Sequence, residues 1–174
     1  MNRSIILVIA LLGAGALALV FFGESKEEVL TYESVEACIA AAVQDEATCR
    51  AEYDKAKALQ EEVAPRYQRS STCYADFGND RCYQRQTSTG SFWLPFMVGY
   101  MLAPRGTSAA IYSQPLYRSR NDPRQFYTSG GVGVGNVSRD GRAQVAKSQV
   151  SQPRARTRTV ARGGFGARST SAAS

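Results

Sequence analysis

Residues 90–102 read GSFWLPFMVGYML, thirteen positions without a charge that hold the only tryptophan and two of the three methionines. Polar sequence lies on both sides. As a helix the stretch would reach only about 20 Å, too short to cross a bilayer. Pro95 restricts the residues before it to extended backbone and sits best near a helix start. The stretch therefore predicts an extended entry over Phe92–Leu94 and a short helix from Pro95 to about Ala103. Three uses fit it. It covers the cysteine-bearing helices as core, or it sets Phe92, Trp93, Phe96, Met97 and Tyr100 at the headgroup level of a membrane. The third is contact with another protein through those same side chains, since exposed apolar patches mark interaction sites.

On the amino-terminal side the charge is acidic. Residues 24–62 hold eleven acids against four bases, a net of −7. Residues 104–174 hold twelve bases against Asp122 and Asp140, a net of +10. Such segregation suggests two surfaces with different partners, or a tail that folds back on an acidic domain. The whole chain has 174 residues and no histidine. That removes Ser-His-Asp and Cys-His pairs and every histidine-containing metal site. No motif places two carboxylates for acid–base work, Asp76 and Asp80 included, and no cofactor is expected.

The first residues carry Arg3 and then eighteen apolar positions, Ile5 to Phe22, before Gly23 and Glu24. At helical rise these span roughly 27 Å, close to the hydrocarbon thickness of a bilayer. A base before the run and acids after it place the bulk of the chain outside the cytoplasm. Residues 1–23 are read as a retained signal-anchor in the inner membrane. Cleavage after Ala16-Leu17-Ala18, leaving a free periplasmic protein, is the alternative.

Outside the cytoplasm, cysteines oxidise. Cys38, Cys49, Cys73 and Cys82 permit three pairings. A near-repeat favours one: Tyr32, five residues, Cys38, one residue, Ala40, then Cys49, against Tyr67, five residues, Cys73, one residue, Ala75, then Cys82. If each copy closes on itself, the bridges are Cys38–Cys49 and Cys73–Cys82; crossed pairing stays open. Intervals of ten, twenty-three and eight residues do not suit the close ligand pairs of a zinc site. Ser34 caps a helix from Val35 to about Val43, and a second runs from about Glu46 to Val63, stopped by Pro65. In the second helix Ala51, Tyr53, Ala58 and Leu59 form a partial apolar stripe, and Phe77–Asp80 reads as a helix end and tight turn.

The expected architecture is mainly α. A transmembrane or signal helix over residues 1–23 precedes a small disulfide-stapled helical domain over 24–103. A largely disordered basic tail follows over 104–174. In that tail Ser129–Gly135 matches no phosphate-loop pattern and is read as a flexible linker. Arg154, Arg156, Arg158 and Arg162 alternate with small residues and suit anionic lipid or polymer surfaces. Nucleic acid would not meet an exported tail.

The order of these pieces, with the Tyr-x5-Cys segments, GSFWLPFMVGYM, QPLY at 114–117 and TVARGGFG at 159–166, resembles the YgiB/YjfM family of bacterial proteins. The Phe92-Trp93 block and Arg162–Gly166 are the most specific parts. The resemblance implies an exported, membrane-associated protein of the Gram-negative envelope with no catalytic residues to carry over. It also implies an ATP-grasp ligase similar to glutathionylspermidine synthase as a neighbour, with the tail as its substrate or partner. Many relatives are lipoproteins, which need a cysteine after the apolar run; here Phe22 leads to Gly23 and Glu24, and a retained helix would supply the anchoring. The expected role is a membrane-anchored, non-enzymatic binding or structural module, with the membrane, an envelope protein or that ligase as partner.

Overall fold

The computed structural model describes residues 25–104, 111–155, 159–160 and 165. Within them the chain is β-rich, with nine strands and three α-helices, so the mainly α expectation is wrong. Two helices fall near where the sequence puts them, α1 Val35–Ala41, ending two residues early, and α2 Glu46–Val63; a third, α3 Ser70–Phe77, ends at the expected turn. Ser34 caps α1 through the Ala37 amide, and Asp45 caps α2 through the Thr48 amide at 2.9 Å. Gly78 ends α3 at φ +103, a conformation that costs glycine least.

The error lies in residues 90–104. They form two strands, β4 (Gly90–Pro95) and β5 (Gly99–Pro104), and the two belong to different sheets. Pro95 closes a strand instead of opening a helix. A proline is tolerated at a strand end, where its missing donor costs little, and the aromatic residues beside it favour a pleated surface. β4 pairs with β3 (Cys82–Thr87) across the two-residue turn Ser88–Thr89, and with Tyr67 of β2 (Arg66–Tyr67). β5 lies at the centre of the other sheet, between β1 (Lys26–Tyr32) and β6 (Ile111–Tyr117).

That second sheet has the order β7-β6-β5-β1-β8, all antiparallel, with β7 Tyr127–Thr128 and β8 Arg142–Ala146. Its two faces follow the period of two along each strand. Leu30, Tyr32, Tyr100 and Leu102 face α1 and α2. Val29, Met101, Ala103, Leu116, Ala143 and Val145 face the other way, against Phe126 and Val134 from the excursion between β6 and β8. β5 is thus buried on both sides, and Tyr100 and Met101 are 0% exposed. A third cluster, under α3 and the β3–β4 hairpin, gathers Tyr67, Phe77, Leu94 and Tyr117.

The disordered-tail expectation fails as well for the described residues past 110. β6 is buried along almost its whole length. Its polar residues hide the signal: Gln114 is buried because its amide donates to the Gln149 carbonyl at 2.7 Å. Pro115 fits a central strand because β7 reaches only Leu116 and Tyr117, leaving its flank unpaired there. The glycine run is ordered too. Val134 donates to the Phe126 carbonyl, and the Thr128 amide to Val132, so residues 126–134 double back on themselves. The tail folds onto the acidic part, with Arg142 bonded to Glu28 at 2.6 Å and Arg118 paired with Glu33.

Both disulfides join as the near-repeat suggests, Cys38–Cys49 and Cys73–Cys82. No helix of the described residues is long and apolar enough to cross a membrane; the expected anchor, residues 1–23, lies outside them.

Candidate functional site: an arginine-rimmed cleft

A cleft of about 700 Å³ opens where β1 ends and the 118–141 excursion crosses it. One wall is Thr31, Tyr32, Glu33 and Ala37, from the end of β1 and the first turn of α1. The other is Arg118, just past β6, with Asp122, Arg124 and Phe126, and then Val134–Arg139 and Gly141 leading into β8.

Arg118 is the best-built side chain in it. Its guanidinium carbon lies 4.4 Å from the centre of the Phe126 ring, a cation–π arrangement that arginine favours. Glu33 accepts one of its terminal amino groups. Its Nε is buried and has no acceptor among the described residues. The hydroxyl of Thr31, a residue 3% exposed, is likewise without a partner. Unsatisfied buried polar groups are uncommon, and a ligand or ion is one ordinary reason for them. Arg124 and Arg139 stand exposed on the rim, and neither makes an ion pair among the described residues. The Arg124 amide is tied to Asp122 at 3.4 Å, which shapes the loop.

Tyr32 forms the floor. Its hydroxyl donates to the Asp140 carbonyl at 3.3 Å. Burial pushes its pKa up, the Asp140 charge adds to this, and Arg142 opposes it. Asp140 is held below the usual carboxylate range, first by the Ser138 hydroxyl and also by Arg142, 2.8 Å away. Gly141 holds φ +87, and a Cβ there would overlap the Tyr32 ring. The turn and the floor are therefore built against each other. Tyr127, outside the cleft, has its pKa raised by burial and by Asp122.

The residues singled out in the sequence lie elsewhere. Phe92 and Trp93 are partly buried against the α3 cluster, with Arg66 4.5 Å over the Phe92 ring and Tyr74 edge-on to Trp93. Met97 packs on the helix-facing cluster, where Tyr100 is fully enclosed. Phe96 alone is well exposed, at 47%, and stacks on Tyr83. Arg154 borders a smaller polar groove beside Gln114, Thr128 and Gln149. Arg156, Arg158 and Arg162 fall outside the described residues. Asp76 is structural: it is buried and accepts from the Tyr67 hydroxyl at 2.8 Å. Among the described residues no cluster of histidine, cysteine, aspartate or glutamate could hold a metal. Sequence reasoning passed over Arg118, Arg124, Arg139 and their carboxylates because they have no common spacing; only a sheet that brings residues 33 and 118 together makes them a group.

A family profile described as "Protein of unknown function (DUF1190)" matches residues 26–174. The chain belongs to this family. The match covers β1 through the carboxyl end, so both sheets, both bridges and the cleft are family territory. The chain is similar to a UPF0441 protein of Klebsiella pneumoniae, 31% identical over 160 residues that cover 82% of this chain and 72% of that one. It is similar to one of Pectobacterium atrosepticum at 30% over 172 residues, 87% of this chain and 77% of that one. A third, from Serratia proteamaculans, is 30% identical over 159 residues, with 82% and 72% covered. These relatives bear out the YgiB/YjfM resemblance. No solved structure matches the chain. Two bridges and no free cysteine fit an oxidising, periplasm-like setting.

Proposed function

We propose that the protein is an envelope binding module, held at the inner membrane by residues 5–22, whose cleft receives an anionic group without transforming it. The observation that carries this reading is Arg118. Its guanidinium is fixed over Phe126 and its buried Nε has no acceptor among the described residues. A pre-oriented guanidinium suits a carboxylate or phosphate. Arg124 and Arg139 add rim charge, which draws anions in but contributes less once they are bound. The side-chain chemistry supports a non-catalytic role. The chain has no histidine, and its cysteines are bridged and unavailable as nucleophiles. The anchor rests on the apolar run and its flanking charges.

Titration of the oxidised protein with glycerol 1-phosphate, followed by amide NMR shifts, tests the cleft. Shifts should centre on residues 118–126 and 134–141. Arg118→Ala should weaken binding at least tenfold, and Arg124→Ala with Arg139→Ala should flatten its salt dependence. Binding that ignores all three substitutions would sink the reading. Reporter fusions at residue 30 and at the carboxyl terminus, with sequencing of the mature terminus, test side and anchor together.

A further inference from the structure

The carboxyl-terminal segment supplies a strand and a ring to the α3 half of the molecule. Strand β9, Thr159–Val160, pairs in parallel with β2, Arg66 opposite Thr159 and Tyr67 opposite Val160. β9 is the outermost strand of its sheet, so without it β2 is an open edge. Five residues on, the Phe165 ring sits 4.7 Å from that of Phe77, 6.2 Å from Tyr117 and 6.0 Å from Tyr127, centre to centre. The Ser119 hydroxyl donates to the Phe165 carbonyl at 3.4 Å. After Pro153 the sequence is Arg, Gly, Ser, Thr and Ala except at two places, Val160 and Phe165. Val160 lies in β9 and Phe165 reaches the aromatic cluster. One backbone edge and one aromatic socket, met by a single short segment of chain, are the elements of strand-addition recognition.

We propose that the β2 edge and the Phe77–Tyr117–Tyr127 socket are a peptide-docking site, and that its occupant is the chain's own Thr159–Phe165 segment, a tethered ligand and not part of the core. Tethering raises the local concentration of the segment, so the site is filled in the intact chain and open to the same sequence added from outside when the tether's anchor is removed. This inference is independent of the anionic cleft, which shares none of the docking residues.

The test uses the full-length oxidised chain and a fluorescein-labelled peptide of residues 156–168, with binding read by anisotropy. The Phe165→Ala chain should bind the peptide at least tenfold more tightly than the wild-type chain does, and a peptide carrying the same Phe165→Ala change should bind neither. Thr159→Pro, which removes a backbone donor without touching the socket, should act in the same direction and guards against misfolding of the first variant. Equal binding to mutant and wild-type chains, equal binding of the two peptides, or no binding to either variant chain overturns the proposal.

Discussion

Gly141 shows how little room the cleft floor leaves. It holds φ +87 with the Tyr32 ring where a side chain would go. Gly141→Ala would face both backbone strain and overlap, and should destabilise by about 1–3 kcal/mol, read as a lower midpoint in denaturant. Tyrosine ionisation gives a second prediction at this scale. Tyr32, Tyr100 and Tyr127 all have raised pKa values, chiefly through burial. A raised folded value means that the neutral form is favoured in the fold. The stability is therefore fully present below about pH 10, the ordinary tyrosine value, and is lost as pH rises beyond it. Melting temperature should fall steeply above that point, with tyrosinate absorbance lagging in the folded protein. Sequence patterns do not expose such residues. Gly141 sits among fifteen glycines, and only the fold tells which of them is pressed against a ring.

Helix α2 shows what sequence periodicity reveals and what it hides. Its ends are legible: the expected span, about Glu46 to Val63 with Pro65 as stop, is the one observed. Its buried stripe is not. The expected Ala51, Ala58 and Leu59 are exposed or half-exposed, while Cys49, Glu52, Ala56, Gln60 and Val63 face inward. Two members of the true stripe are polar, which masks the spacing. Gln60 is accommodated by donating to the Pro95 carbonyl at 2.9 Å. Gln60→Ala should cost about 1–2 kcal/mol, because that buried acceptor loses its donor. The Tyr-x5-Cys copies were legible for a different reason. In each, a buried tyrosine ends a strand, a short helix carries the first cysteine, and the bridge returns the chain. Each copy also stands in its own core cluster. Cys73→Ser with Cys82→Ser should lower stability by about 2–3 kcal/mol, the value for so short a loop, and should loosen the β3–β4 hairpin first by hydrogen exchange.

For the molecule as a whole, the strand content escaped in part because β5 and β6 are buried on both faces and so lack alternation. β8, with Ala143 and Val145 inward between exposed neighbours, was readable in principle. Its pairing with acidic β1 across more than a hundred residues was foreshadowed only by opposite charge. Among the described residues three ion pairs join the acidic segment to later basic residues: Glu28–Arg142, Glu33–Arg118 and Glu61–Arg85. Glu28–Arg142 and Glu61–Arg85 are about half exposed and Glu33 is exposed beside the partly buried Arg118, so together they should add little at physiological salt. Raising salt to 1 M should shift the unfolding midpoint by no more than about 1–2 kcal/mol.

Each bridge spans a short interval, eleven and nine residues, and neither ties one sheet to the other. Pulled from its two ends, the oxidised chain would therefore unravel almost completely. Only two small loops would stay locked, shortening the extended polymer by about 60 Å relative to the reduced one. The cross-links brace local folds and leave the molecule mechanically open between them.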